Sequence, residues 1–436
     1  MTSIHEMNTN WYETWKTWRD SCVITPNQCF DDESDFIRRI HSVPFPLDNT
    51  QISHSFNTVG ELGEIAKGRK LSNHYLRHGS AEETALSNLL VMAEAGYLEE
   101  SGINPLDHIA ASLSPSGMSA ISNTLFTFAS LIPLENREEK RFIQAASEEI
   151  YSDTNSTLYE IMHILGFSPP LKITLHSGQE HKLADLLNEH YKSVIGIYYE
   201  PISNPQLLYT NTRALRKIAD YYNIPFIVDN TLLTPYLQQQ MRLGADIVIH
   251  SVTKYISGEG DLTAGAVIGP KSFIDWSRKL QRVTGNTMQS PAIMQKIYQR
   301  MRELPERMKI HCRYALQITD YLRSSPFIEQ VNNPDLENIT RCGSPGGIVS
   351  FTLYGEDPQT KIKRETKFMQ HIIEHGGDSF QYKVSFGEES YLFFGETTHG
   401  VQTKQQPGLI RLAVGRKPTA DEAISFIEKS LQHACK

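Results

Sequence analysis

Cysteine is scarce and scattered in this chain. The five residues, Cys22, Cys29, Cys312, Cys342 and Cys435, form no C-x-x-C pair. That spacing argues against a disulfide framework and fits free thiols in a reducing compartment. Long apolar runs are also missing: none approaches the about 18 residues of a membrane-spanning helix. The opening stretch MTSIHEMNTNWYETW holds no apolar signal core, so a cytoplasmic location is expected. Positive charge is not in excess. Lys and Arg number 42 against 50 Asp and Glu, a net charge of −8. No nucleic-acid footprint and no polybasic membrane patch is therefore expected. Internal repeats, low-complexity segments and Gly- or Ser-rich linkers are absent too. What remains is an ordinary globular composition, 39% hydrophobic over 436 residues. That length has room for two or three domains and a large core.

Residues 1–70 read as an N-terminal extension. Trp11, Trp15 and Trp18 recur at helical spacing and should share one face, packed against the body of the protein or another subunit. From about 80 to 300, apolar runs alternate with amphipathic ones, the pattern of a mostly parallel sheet with crossover helices. Strands are expected at 194–199, 225–228, 247–249 and 264–268, and helices at 208–222 and 235–243. A long helix over 291–324 should bend near Pro305. It leads into a smaller C-terminal domain with strands at 347–351 and 409–412 and a closing helix at 419–433. The expected domains are 71–300 and 301–436.

The chemistry-bearing stretch is Ser251-Val252-Thr253-Lys254-Tyr255, directly after the strand pattern Ala245–His250. It places a lysine between hydroxyls at the C-terminal end of a buried strand, where open α/β sheets bind ligands. Desolvation there favours a neutral, nucleophilic amine. With hydroxyls to hold a phosphate, this is what a pyridoxal phosphate (PLP) Schiff base requires. Taken alone the string equally fits a surface lysine. Asp229 closes the preceding strand pattern, where a carboxylate can pair with a pyridinium nitrogen or cap a turn. Ser114–Ser119 is a small-residue turn before an apolar helix, able to present N–H groups to a phosphate or simply to cap that helix. Glu200–Pro205 follows the strand at 194–199 and offers Asn204 to a cofactor ring oxygen, or forms a plain turn.

Together these segments resemble the Cys/Met metabolism family of PLP enzymes. The resemblance rests on ADIVIHSVTKYISGEGD at 245–261, VDNTLLTP at 228–235, EPISNP at 200–205 and SPSGMSAI at 114–121. TGNTMQSP at 284–291 and IRLAVG at 410–415 extend it. Order and spacing agree over about 75–436, with the first 70 residues outside the match. The resemblance implies the aspartate-aminotransferase-like type I PLP fold: α/β, with a large sheet domain and a small C-terminal α+β domain. It implies that Lys254 carries PLP and then moves protons, and that Asp229 pairs with the pyridine nitrogen. Tyr151 would stack on the ring and act in proton transfer. Ser116, Gly117, Met118, Ser251 and Thr253 would bind the phosphate. Tyr75 and Arg77 would reach it from a neighbouring subunit, making a homodimer or homotetramer with shared sites. Arg411 would clamp the substrate carboxylate bidentately, helped by Ser385.

The chain departs from the family on the substrate side. The family's YGGT is here Tyr151-Ser152-Asp153-Thr154. Its NPT after the arginine becomes Ser80–Thr84, its SLGGVES shortens to Ser385–Ser390, and Arg416-Lys417 stands where an acidic residue is common. Asp153 or Glu389 is expected to face a cationic substrate group. The activity implied is γ-replacement of the cystathionine γ-synthase kind on an activated homoserine-like or related amino acid. Elimination from cystathionine, methionine or cysteine is the neighbouring alternative, and a non-catalytic PLP-binding regulator is an alternative of another class. The H-x-x-E-H pattern at His371–His375 resembles a zinc motif but falls on an expected helix end of the small domain, and no metal is expected.

Overall fold

Two apolar runs, Pro225–Val228 and Ala245–Ile249, become neighbouring central strands because nearly every side chain in them is apolar. Such runs suit parallel strands covered on both faces. A computed structural model of the chain describes residues 11–22, 29–46, 75–145, 150–175, 178–288, 290–395 and 406–436. Within them the chain divides into two units. The first comprises residues up to Ser203, Tyr209–Thr253 and Leu262–Arg302; the second comprises Asn204–Leu208, Lys254–Asp261 and Glu303–Lys436. Two short segments from the 71–300 stretch thus group with the C-terminal unit.

The first unit holds seven strands: β1 (Ile109–Ser114), β2 (Arg141–Ala145), β3 (Leu171–Ile173), β4 (Val194–Tyr199), β5 (Phe226–Asp229), β6 (Ile247–His250) and β7 (Gly265–Pro270). Their order is β1-β7-β6-β5-β4-β2-β3. β7 alone runs against the rest, antiparallel to both β1 and β6. β5 and β6 pair parallel with Asp229 opposite Ile249. The C-terminal ends of β1, β4, β5 and β6 therefore share one sheet edge. Helices α1 (Trp11–Ser21), α2 (Ala81–Ala95), α3 (Gly117–Leu131) and α4 (Pro291–Arg302) belong to this unit.

The tryptophan face of α1 packs on the same unit. Trp11 meets Phe128 and Phe273, and Trp18 stacks on His108 with centroids 4.3 Å apart. Trp15 Nε1 donates to Asp246 Oδ1 across 2.9 Å. Asp246 is fully buried and also accepts from Arg19, Arg216 and the Phe226 amide. Residues 1–10, 23–28 and 47–70 of the extension, and 71–74 after it, lie outside the described residues.

The helix expected over 235–243 does not extend that far. Only Thr234–Leu237 is helical, and Gln238 is extended. Gln238, Gln239 and Gln240 are fully buried and hydrogen-bonded. Those polar contacts override the local helical pattern.

In the second unit, strands β8 (Ile328–Asn332), β9 (Ile348–Leu353), β10 (Phe380–Tyr382), β11 (Tyr391–Gly395) and β12 (Leu409–Ala413) form a sheet ordered β10-β11-β12-β9-β8. Its core gathers Phe351, Phe393 and Leu412 from the strands with Ile318, Phe368 and Ile427 from α5 (Leu304–Ser324), α6 (Pro358–His375) and α7 (Ala420–Cys435). The break expected near Pro305 falls at Glu303, between α4 and α5. Proline in a first helical turn lacks only an N–H that would be unpaired there anyway.

Candidate active site

The turn after β1 ends in Ser116, whose Oγ accepts from the Ser119 amide at 3.1 Å and caps α3. Gly117 opens the helix. A Cβ there would lie 2.7 Å from both Cβ and Oγ of Ser251. Helix terminus and Ser251 hydroxyl approach this closely only because residue 117 has no side chain. Amides of a first helical turn beside a hydroxyl make an anion cradle. Met118 contributes its backbone to that turn while its half-buried side chain packs on the apolar cluster of the sheet. Thr253 engages its hydroxyl locally, donating to Ala264 O at 3.1 Å and accepting from its amide at 2.9 Å.

Asp229 stands at the end of β5. Its Oδ1 accepts from the amide and hydroxyl of Thr231, at 2.9 and 2.5 Å, and its Oδ2 from Tyr198 Oη at 3.1 Å. Burial pushes its pKa up, while the Thr231 and Tyr198 bonds and the His250 ring pull the other way. Glu200, at the end of β4, is raised well above the carboxylate range by burial and by Asp229. Of this pair Glu200 keeps the proton, because Asp229 has the three donors. Glu200 Oε1 accepts from the Tyr151 amide at 3.2 Å. Tyr151 is 44% exposed, and its Oη donates to Asp153 Oδ2 at 2.9 Å. Burial, then the Asp153 carboxylate, push the phenol up to about 12.

In the second unit, Lys254 Nζ lies 3.1 Å from Ser385 Oγ and 5.0 Å from the centroid of Phe386. Burial and the Arg411 charge bring its pKa down to about 8, against the pull of Glu388. The approach of the two chain segments depends on Gly387. Its φ is +88°, and a Cβ would fall 2.7 Å from Tyr255 N and 2.8 Å from Lys254 C. Arg411, on β12, is buried over Phe394 and donates to Val384 O, Ser385 O and Asn204 Oδ1 at 2.6, 3.0 and 3.3 Å. So Lys254, Ser385, Arg411 and Asn204 come together in one unit, and Ser116, Gly117, Ser251, Asp229 and Tyr151 share one sheet edge of the other.

Other candidates sit differently. Glu389 is drawn into ion pairs with Lys417 at 3.1 Å and Arg416 at 3.7 Å, so its charge is already balanced within the chain. Arg77 lies over the Tyr75 ring and donates to Arg282 O at 3.0 Å. His371 and His375 occupy the end of α6, where His371 Nδ1 meets Ser430 Oγ at 3.0 Å. Among the described residues no His, Cys, Asp or Glu cluster is arranged for a metal ion, and no helix is long and apolar enough to cross a membrane. Sequence reasoning missed Phe386 and the proton-holding role of Glu200. Both lie inside motifs read for a neighbouring residue.

PLP demands an anion cradle, a carboxylate for its ring nitrogen and an amine of lowered pKa. The Gly117–Ser251 approach, Asp229 and Lys254 fit those demands.

The Cys/Met metabolism PLP-dependent enzyme model matches residues 42–431. The match therefore begins before residue 70 and takes in part of the expected extension. The chain is 30% identical over 375 residues to an L-methionine gamma-lyase of Fusobacterium nucleatum subsp. polymorphum, spanning 82% of this chain and 86% of that protein. It is 25% identical over 399 residues to an O-acetyl-L-homoserine sulfhydrylase of Leptospira meyeri, spanning 80% and 88%. Its fold is that of metB from Corynebacterium glutamicum, with a TM-score of 0.72 at 22% identity over 91% of this chain and 97% of that one. A cystathionine gamma synthase of Xanthomonas oryzae pv. oryzae superposes with a TM-score of 0.71 at 22% identity, over 92% and 97%.

Proposed function

Because this chain belongs to the Cys/Met metabolism PLP-dependent enzyme family, we propose that it catalyses γ-replacement on an activated homoserine-like or related amino acid. The observation that carries this reading is the contact of Tyr151 Oη with Asp153. It sets an anionic group beside the tyrosine that the family resemblance places at the reacting substrate, where an incoming amino acid's ammonium would be held by charge. Bound there, PLP would supply an electron sink for carbanion chemistry on an amino acid.

The protein's own groups do the rest. Lys254 Nζ, with its lowered pKa, is available as a neutral amine to hold the cofactor and later to carry the substrate protons. Asp229 would pair with the ring nitrogen and keep it protonated. Ser116, Gly117, Met118, Ser251 and Thr253 would hold the phosphate, and Tyr75 and Arg77 would join them from a neighbouring subunit. Arg411 exchanges its carbonyl partners Val384 and Ser385 for the substrate carboxylate, assisted by Ser385. The Tyr151 phenol, kept protonated far above neutral pH, donates to the leaving group.

The test is a panel of O-acylated homoserines offered with and without amino-acid nucleophiles, beside cystathionine, methionine and S-adenosylmethionine, read by mass spectrometry. Substituted amino acids support replacement. The second reading is a γ-lyase, favoured by the similarity to methionine gamma-lyases. It predicts keto acid and ammonia from a single substrate, and that result alone would overturn the first. Asp153→Gly should erase the preference for cationic over neutral nucleophiles; an unchanged profile removes Asp153 from specificity.

A further inference from the structure

Glu94, near the end of α2, touches none of the residues assigned to cofactor or substrate, yet it is fully buried. Its Oε1 accepts from His250 Nε2 at 2.8 Å and Asn230 Nδ2 at 2.9 Å, and its Oε2 from the Gln240 amide at 3.0 Å. With Glu94 as carboxylate, Oε1 is the acceptor in both bonds, which assigns the facing His250 proton to Nε2. His250 is the residue before Ser251, and Asn230 is the residue after Asp229. Asn230 is fixed further by Gln238 O at 2.9 Å, Gln240 Nε2 at 3.2 Å and Ile249 O at 2.9 Å. The next link repeats the pattern: the Ser251 amide donates to Thr231 Oγ1 at 2.8 Å, and Thr231 donates to Asp229 Oδ1. One carboxylate thus ties together the two strand ends that present Asp229 and Ser251.

Packing does not account for the charge. An ionised carboxylate is costly to bury, and an apolar pair would join β5 and β6 without that cost. We propose that Glu94 is a positioning residue for the cofactor: through Asn230 and His250 it fixes Asp229 at the pyridine nitrogen and Ser251 at the phosphate. This rests on the assignment of those two residues to PLP made above. Its electrostatic side runs through His250, whose ring favours the ionised form of Asp229 and is itself held by Glu94. The other ionisable groups facing this chain of contacts are Glu200 and Tyr198 beside Asp229, and Tyr97 beside Glu94.

The test compares wild type with Glu94→Gln, which keeps the shape and removes the charge. Three quantities are read: the PLP dissociation constant of the apoenzyme, the pH at which the visible band of bound cofactor titrates, and the apoenzyme melting temperature. A lost charged hydrogen bond should weaken PLP binding about tenfold and displace the titration of the band. A merely structural residue would lower apoenzyme melting and leave the band's pH response in place. PLP affinity within twofold of wild type together with an unmoved titration overturns the proposal, whatever the melting temperature does. If Glu94→Gln does not fold, His250→Asn is read by the same criteria. Wild type that forms no cofactor band at all would instead overturn the assignment of Lys254 and Asp229, a separate failure.

Discussion

Lys254 Nζ meets Ser385 Oγ at 3.1 Å, so the direct hydrogen-bond partner of this amine is a neutral hydroxyl. The charge that acts on it most strongly, Arg411, is of the same sign and outweighs the pull of Glu388. An ammonium in that setting is disfavoured twice, by burial and by repulsion.

The pH response of the apoenzyme follows. Attachment of an aldehyde needs the neutral amine, and Lys254 loses its proton near pH 8 instead of near 10.5. The rate of PLP uptake should climb to about pH 8 and level off above it. Stopped-flow absorbance over a pH series checks this. A rate still rising tenfold per unit beyond pH 9 would show an unperturbed lysine.

Gly387→Ala tests the close approach of the two segments. The new methyl would press on the Tyr255 and Lys254 backbone, which cannot rotate away, at a residue with φ of +88°. The backbone strain alone should cost about 1–3 kcal/mol, and the cofactor band should weaken with it. Denaturant unfolding and visible absorbance measure both; a variant equal to wild type in each would refute the contact.

Asp153→Asn should release Tyr151. Two of the three influences holding the phenol near 12 come from Asp153, so its ionisation should move down toward the ordinary value of 10. Ultraviolet difference titration, with Tyr151→Phe as the blank, resolves the change. No movement would mean that burial alone sets the value.

Asp246→Ala strips Arg19 and Arg216 of a buried anion. Breaking such a set should cost about 3–5 kcal/mol, whereas Trp15→Phe, which removes one neutral donor, should cost about 1 kcal/mol. Equal losses in unfolding experiments would contradict this ranking.

The sheet was readable from sequence where strands are apolar throughout. Val194–Tyr199 forms a strand with the expected bounds, and β5, β6, β7, β9 and β12 lie within two residues of expectation. The run at 235–243 misled because its glutamines satisfy buried tertiary partners, which no local pattern records. Lys254, Asp229 and the Ser116 turn were legible because each stands at or just beyond the C-terminal end of a strand. Glu94 was not, since its meaning lies in contacts 136 and 156 residues away. Glu389 was read as one of two acids that could face a cationic substrate group, and the local pattern gave no sign of its ion pairs with Arg416 and Lys417.

The anchoring of α1 has a consequence during synthesis. Trp15 waits for Asp246, 231 positions later, and Tyr12 for Ile224, 212 positions later. At about 5–20 residues per second, the helix is synthesised roughly 10–50 seconds before these docking partners are. For the early part of that interval the tryptophan face has no native surface to cover it, and afterwards only the part that meets His108 and Phe128 is covered. A helix made early is thus among the last parts of its unit that can settle completely.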